Sequence, residues 1–242
     1  MLKTSTSLYA IAILALPVAA AAQGMAGMPM DDPPGAAAHE AMAGKMMESA
    51  HMRMTPLRAA THADTVRALA IADTLRRALA KYADPAVAER DGFKLFAPNV
   101  KKQKVFHYTK WENALGEAFR FNPAKPTSIL YEKDSAGHMK LVGAMYTMPK
   151  RAKPEDLDKR VPLSVAQWHL HTNLCAPKKG DERRYMEMQN GKPLFGIAGS
   201  ITTKDACDAA NGRFTPVLFG WMVHANVFEG TDLKSVWGHD EH

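Results

Sequence analysis

Apolar residues along this chain follow two different periods. Between residues 57 and 82, Leu57, Ala60, Val66, Leu69, Ala70, Leu75, Ala78 and Leu79 recur at helical spacing, which predicts an amphipathic helix. Asp84-Pro85 interrupts it, a short helical turn runs on to Arg90, and Asp91-Gly92 stops it. Beyond that point the period becomes two. Val105 to Thr109 reads as a short strand bearing His107, and Ser128 to Glu132 with Met139 to Thr147 reads as a hairpin around Asp134-Ser135-Ala136-Gly137. Residues 149 to 162 form a charged, Pro-bearing connection. Two further alternating runs follow, 165 to 175 and 219 to 228. Between them Thr203 to Ala210 reads as a short helix, ended by Asn211-Gly212 and carrying Cys207. Helix first and strands after predict an α+β domain. Its N-terminal helix packs on a curved antiparallel β-sheet or a small barrel.

The alternation assigns side chains to faces. Gln167, His169, His171 and Asn173 share one face of the first run, and Trp168, Leu170 and Thr172 the other. Met222, His224 and Asn226 share a face of the second. Two imidazoles one strand step apart, with a third on a neighbouring strand, can reach a single ion from rigid backbone. Three ligands with one open position suit an exchangeable or reactive zinc or copper. His107 is a candidate fourth ligand. Gln167, Asn173 and Asn226 are placed to orient the imidazoles by hydrogen bonding. Met222 offers a thioether, which would favour copper over zinc; equally, methionine fills core volume well. The competing reading of the histidines is that they are half-buried polar residues bonded to their neighbours.

The N-terminus has a separate character. Lys3, the apolar stretch Leu8 to Val18 and Ala20-Ala21-Ala22 before Gln23 predict a cleaved signal peptide over residues 1–22. The apolar stretch is short for a membrane span of about 20 residues, so no stable span is expected after cleavage. Residues 23–56 then hold Met25, Met28, Met30, Met42, Met46, Met47, Met52 and Met54, with no Leu, Ile or Val. Such a segment cannot build a packed core, and it predicts a Met-rich flexible tail, with a helix compatible over His39 to Arg53. Thioethers hold Cu(I) and, unlike thiolates, are not lost to disulfides. Met25, Met28, Met30, Met52 and Met54 are therefore possible soft ligands; the rival reading is a low-complexity linker. His239 and His242 at the other end offer two more imidazoles on an exposed terminus. Residues 57–242 would form the single metal-binding domain.

Charge and cysteine content narrow the class. The chain carries 31 Lys plus Arg against 25 Asp plus Glu. Its densest basic patches, Lys101-Lys102-Gln103-Lys104 and Lys178-Lys179 with Arg183-Arg184, lack interleaved aromatics. That favours a solvated surface over a nucleic-acid partner. Cys175 and Cys207 are the two cysteines. In an exported chain an even count predicts a disulfide. The alternative makes Cys175 a thiolate copper ligand.

Two resemblances add to this reading. The string Gln167-Trp168-His169-Leu170-His171 is similar to the metal-ligand strand of the alpha-class carbonic anhydrases, which draw a third His from the neighbouring strand. That family's second motif, with Glu two residues before its His, is absent: Met222 precedes His224 at that spacing. The resemblance therefore implies ligand geometry alone. A wider one is to uncharacterised secreted bacterial proteins, through His107-Tyr108, Pro126-x-x-Ile129-Leu130-Tyr131-Glu132, Leu141-Val142-Gly143 with Tyr146, and Met222-x-His224. It spans roughly residues 60 to 230 and implies one α+β domain.

The function expected from the sequence is a periplasmic or secreted metal-binding protein in copper handling or resistance, with zinc as the alternative ion. Its expected partner is the metal ion, with another periplasmic copper protein as the candidate second partner. A cupin-like or hydrolase-like metalloenzyme is the second reading, for which Glu229 is the nearest carboxylate in sequence to the His strands. A metal-free module that binds a ligand or partner is the third.

Overall fold

The first helix starts where its cap dictates. The computed structural model describes residues 50–98 and 103–238; the expected signal peptide, most of the Met-rich segment, with Met25, Met28 and Met30, and the terminal His239 and His242 lie outside the described residues. Thr61 caps the helix by accepting from the Asp64 backbone N–H, while the Asp64 carboxylate accepts from the Thr61 backbone N–H. Helix α1 therefore spans His62–Leu79, five residues later than the apolar pattern begins. Arg58 pins this start. Its guanidinium holds both Asp64 oxygens at 2.7 Å and reaches Asp158 at 2.9 Å, and that pairing holds the Asp64 carboxyl well below the ordinary carboxylate range. The remaining helices are short: α2 Pro85–Arg90, α3 Trp111–Phe119, α4 Pro154–Asp158, α5 Lys204–Ala209 and α6 Leu233–Trp237.

Among the described residues nine strands follow as β1 Met52–Met54, β2 Lys94–Leu95, β3 Val105–Thr109, β4 Ser128–Lys133, β5 Met139–Met148, β6 His169–Ala176, β7 Met188–Gln189, β8 Lys192–Pro193 and β9 Arg213–Ala225. Seven form one sheet in the order β1-β6-β9-β5-β4-β3-β2, each neighbouring pair antiparallel. The α+β class is thus observed. The sheet does not close into the small barrel that was the alternative: its edge strands hold three and two residues and do not pair with each other.

One sheet face carries the main core. Phe106, Tyr108, Ile129, Tyr131, Tyr146, Trp168, Leu170, Trp221 and Val223 pack there with Ile71, Leu75 and Leu79 of α1. The other face carries the histidines and a smaller cluster of Val105, Leu130, Val142, Met145 and Met222. The expected helix–sheet packing therefore uses only the face opposite the histidines.

Three elements differ from the sequence reading. Met52–Met54 pairs with His169–His171, so the folded domain includes residues read as tail, and residues 51–53 are not helical. Helix α3 was missed. Its stripe of Trp111, Ala114, Leu115 and Ala118 has helical spacing, but Trp111 and Leu115 are 62% and 66% exposed, and the residue it buries is Glu117. Strand β9 is longer than expected and contains a bulge. His169 faces Met222, yet His171 faces Leu218. The extra length is taken up at Phe219, whose φ is 61°, and at Gly220, where a Cβ would stand 2.0 Å from the Met148 carbonyl oxygen.

Cys175 and Cys207 are joined as expected, with a sequence separation of 32. Cys175 is therefore not a thiolate ligand. The bond ties α5 to β6 over a small cluster of Phe195 and Ile201. Replacing both cysteines with serine is expected to cost about 3–4 kcal/mol, mainly by freeing the unfolded chain. A urea denaturation midpoint unchanged from the wild type would contradict this.

Candidate metal centre

The four candidate histidines come together. His107 stands on β3, His169 and His171 on β6, and His224 on β9. Ring centroids are 5.7 Å apart for His107–His224, 5.3 Å for His224–His169 and 5.4 Å for His169–His171. An ion with bonds of about 2 Å in tetrahedral geometry sets its imidazole centroids roughly 5 Å apart. The four rings thus form a continuous chain on one face at nearly that spacing. Among the described residues, however, no group of three or more His, Cys, Asp or Glu side chains has its donor atoms set to hold an ion as the chain stands. His169 and His224 are buried and His107 and His171 half-buried.

Register explains the gathering. His169 pairs with Met222, which pairs with Thr147; His224 pairs with Met145, which pairs with Ser128. The bulge between His169 and His171 breaks regular pairing beside the cluster. Burial lowers the His107 imidazole to about 4, opposed by a backbone hydrogen bond at Val105, with the neighbouring His171 adding to the lowering. At neutral pH His107 is uncharged, the form that binds a metal.

The histidines floor an open cavity of about 1440 Å³. Met52, Met145 and Met222 also line it, and Met145 and Met222 are buried. Met145 was not singled out in the sequence. Period two along β5 does not place it beside the histidines: a bulge opposite Leu130 and Tyr131 breaks the alternation, so Met139 and Leu141 face the main core while Val142 and Met145 face the histidine side. Helix α3 supplies a wall through Trp111, Ala114, Leu115 and Ala118.

Two of the three expected orienting residues bond to the backbone beside β1. Gln167 precedes the strand and donates its amide to the Thr55 carbonyl. Asn173 has φ 55° and donates to the Ala50 carbonyl at 2.7 Å. Asn226 follows β9 and is buried. None of the three lines the cavity. Met54 is buried and does not line it either. Glu229 is exposed and pairs with Lys140 at 3.0 Å. His51, beside β1, does line the cavity, and its Nε2 lies 2.6 Å from the Gly199 carbonyl oxygen.

The buried carboxylate behind the cavity is Glu117. Its oxygens accept from the Thr127 backbone N–H at 3.1 Å, the Thr127 hydroxyl at 2.6 Å and the Thr147 backbone N–H at 2.7 Å. Burial nevertheless pushes its carboxyl up from 4.5 to about 7, against those hydrogen bonds. A raised carboxyl binds its proton more tightly in the folded chain. Its contribution to stability is therefore full below pH 4.5 and is lost as pH rises through about 7. Asp64, lowered rather than raised, acts the other way and loses its contribution only in acid. The lowered His107 imidazole also works against Glu117, gaining stability as pH rises between about 4 and 6.5, so Glu117→Gln is expected to make stability in urea denaturation climb more steeply from pH 4.5 to 7 than in the wild type; an unchanged slope in the variant would contradict the assignment.

No helix among the described residues is long and apolar enough to cross a membrane. No protein-family model, curated protein or solved structure matches the chain.

Proposed function

We propose that the protein is an exported metal-binding protein in copper handling or resistance, holding one ion at His107, His169, His171 and His224. The observation that carries this reading is the unbroken chain of four imidazole rings, drawn from β3, β6 and β9 onto one sheet face. Binding would require the rings to turn so that their nitrogens meet at one point. Imidazole alone suits zinc as well as copper. The thioethers of Met52, Met145 and Met222 around the same cavity tip the balance to copper. Residues 50–52, which belong to the Met-rich segment, line the cavity too. Capture of Cu(I) by Met25, Met28 and Met30 for delivery to the histidines fits that connection. The disulfide agrees with an oxidising compartment.

Metal titration of the full chain tests the proposal. One tight equivalent of copper, bound in preference to zinc, is expected. Stoichiometric binding of neither ion would overturn it.

A metalloenzyme is the second reading, favoured by one observation: the ion would sit at the floor of a large apolar cavity, where an organic substrate could reach an open coordination position. Among the described residues no Asp or Glu lines that cavity, and Glu117 is screened from it by Thr127 and Thr147. This leaves the enzyme without a general base at the ion, and binding is preferred.

A further inference from the structure

The cavity is built for more than an ion. Its volume of about 1440 Å³ exceeds the roughly 300–1,000 Å³ of pockets for drug-sized ligands. Its walls present large apolar side chains to solvent. Trp111 and Leu115 project from α3, Ile197 from the loop after β8, and Phe96 and Phe219 meet edge to face at 5.5 Å. Phe219 does so from a left-handed backbone, φ 61°, a conformation that bulky residues rarely hold without a functional reason. Exposed apolar side chains gathered round a concavity mark a binding site rather than scattered surface residues.

Charge then selects the ligand. Lys104, Lys150, Arg151 and Lys192 line the cavity and are exposed, and among the described residues no Asp or Glu lines it. Among the described residues Lys150, Arg151 and Lys192 make no ion pair. A cationic ligand would meet only repulsion. A neutral apolar one would leave the basic groups unused. An acidic head with an apolar body satisfies both sets.

We propose that this cavity is a second binding site, for an amphipathic organic anion of lipid size. Its apolar body lies along Trp111, Leu115, Phe96 and Phe219, and its acidic head meets the lysines and Arg151. The site does not depend on the metal reading, because none of the groups that select the anion is a histidine.

The test uses the full chain stripped of metal by EDTA, with 11-(dansylamino)undecanoate as a fluorescent probe. Saturable probe uptake is expected, displaced at least tenfold better by oleate than by oleylamine or oleyl alcohol. Lys150→Glu with Arg151→Glu, both exposed and remote from the core, is expected to weaken oleate at least tenfold with the circular dichroism spectrum unchanged. Leu115→Asp is expected to abolish uptake. Uptake by the EDTA-stripped chain, undiminished relative to the copper-loaded chain, separates this site from the ion. Absence of saturable uptake, equal displacement by the three head groups, or a dimer in sedimentation that buries Trp111 and Leu115 and excludes the probe would each overturn the proposal.

Discussion

Replacing His169 and His224 together with alanine is expected to weaken copper binding by more than about 100-fold. Loss of a group that merely orients a metal-bound histidine typically costs about 10–100-fold, and two direct ligands contribute more than one orienting partner. These two rings are the middle of the chain. His224 touches both His107 and His169, and His169 touches both His224 and His171. Removing both leaves His107 and His171 without a shared neighbour. Buried His169 also fills space, so truncation opens a hole and lowers stability. Circular dichroism and an intact disulfide separate that effect from lost binding. Unchanged affinity in a folded double variant would mean that the ion sits elsewhere.

Gly143→Ala is expected to destabilise the fold by at least about 3 kcal/mol, at or beyond the upper end of ordinary overpacking. A Cβ at position 143 would stand 2.0 Å from the Ala225 carbonyl oxygen and 2.8 Å from the Asn226 Cα. Both obstacles are backbone, at the end of the strand that carries His224 and at the residue after it, so neither can swing aside as a side chain would. Relief requires β5 and β9 to part, and that movement would carry His224 away from His107. Gly116→Ala is the control: its Cβ meets nothing within 4 Å, and alanine in a helix interior stabilises by about 0.5–1 kcal/mol. Urea midpoints of the two variants should therefore move in opposite directions. Equal midpoints would contradict the β5–β9 register.

The histidine gathering was legible because period two assigns a face without knowledge of the neighbours. His169, His171 and His224 each obey that rule, and β9 lies between β5 and β6 to bring them together. The orienting residues were not legible for the same reason. Asn173 adopts φ 55°, which turns its side chain out of the alternation and toward Ala50. Gln167 lies before the strand begins, where the chain still turns on Pro162. The bulge at Phe219-Gly220 came with a glycine whose role appears only once Met148 is beside it. Helix α3 has a readable stripe, but that stripe faces a cavity rather than the core, so its apolar spacing carries no core signal. Strand β1 has only three residues and takes its conformation from β6. No local pattern could have announced it.

X-ray absorption of the copper-loaded full chain tests the central claim most directly. Convergence of β3, β6 and β9 on one ion predicts three or four imidazole nitrogens at about 2 Å, with sulfur scattering added if Met145 or Met222 takes part. A shell of oxygen alone, or a single imidazole, would contradict it.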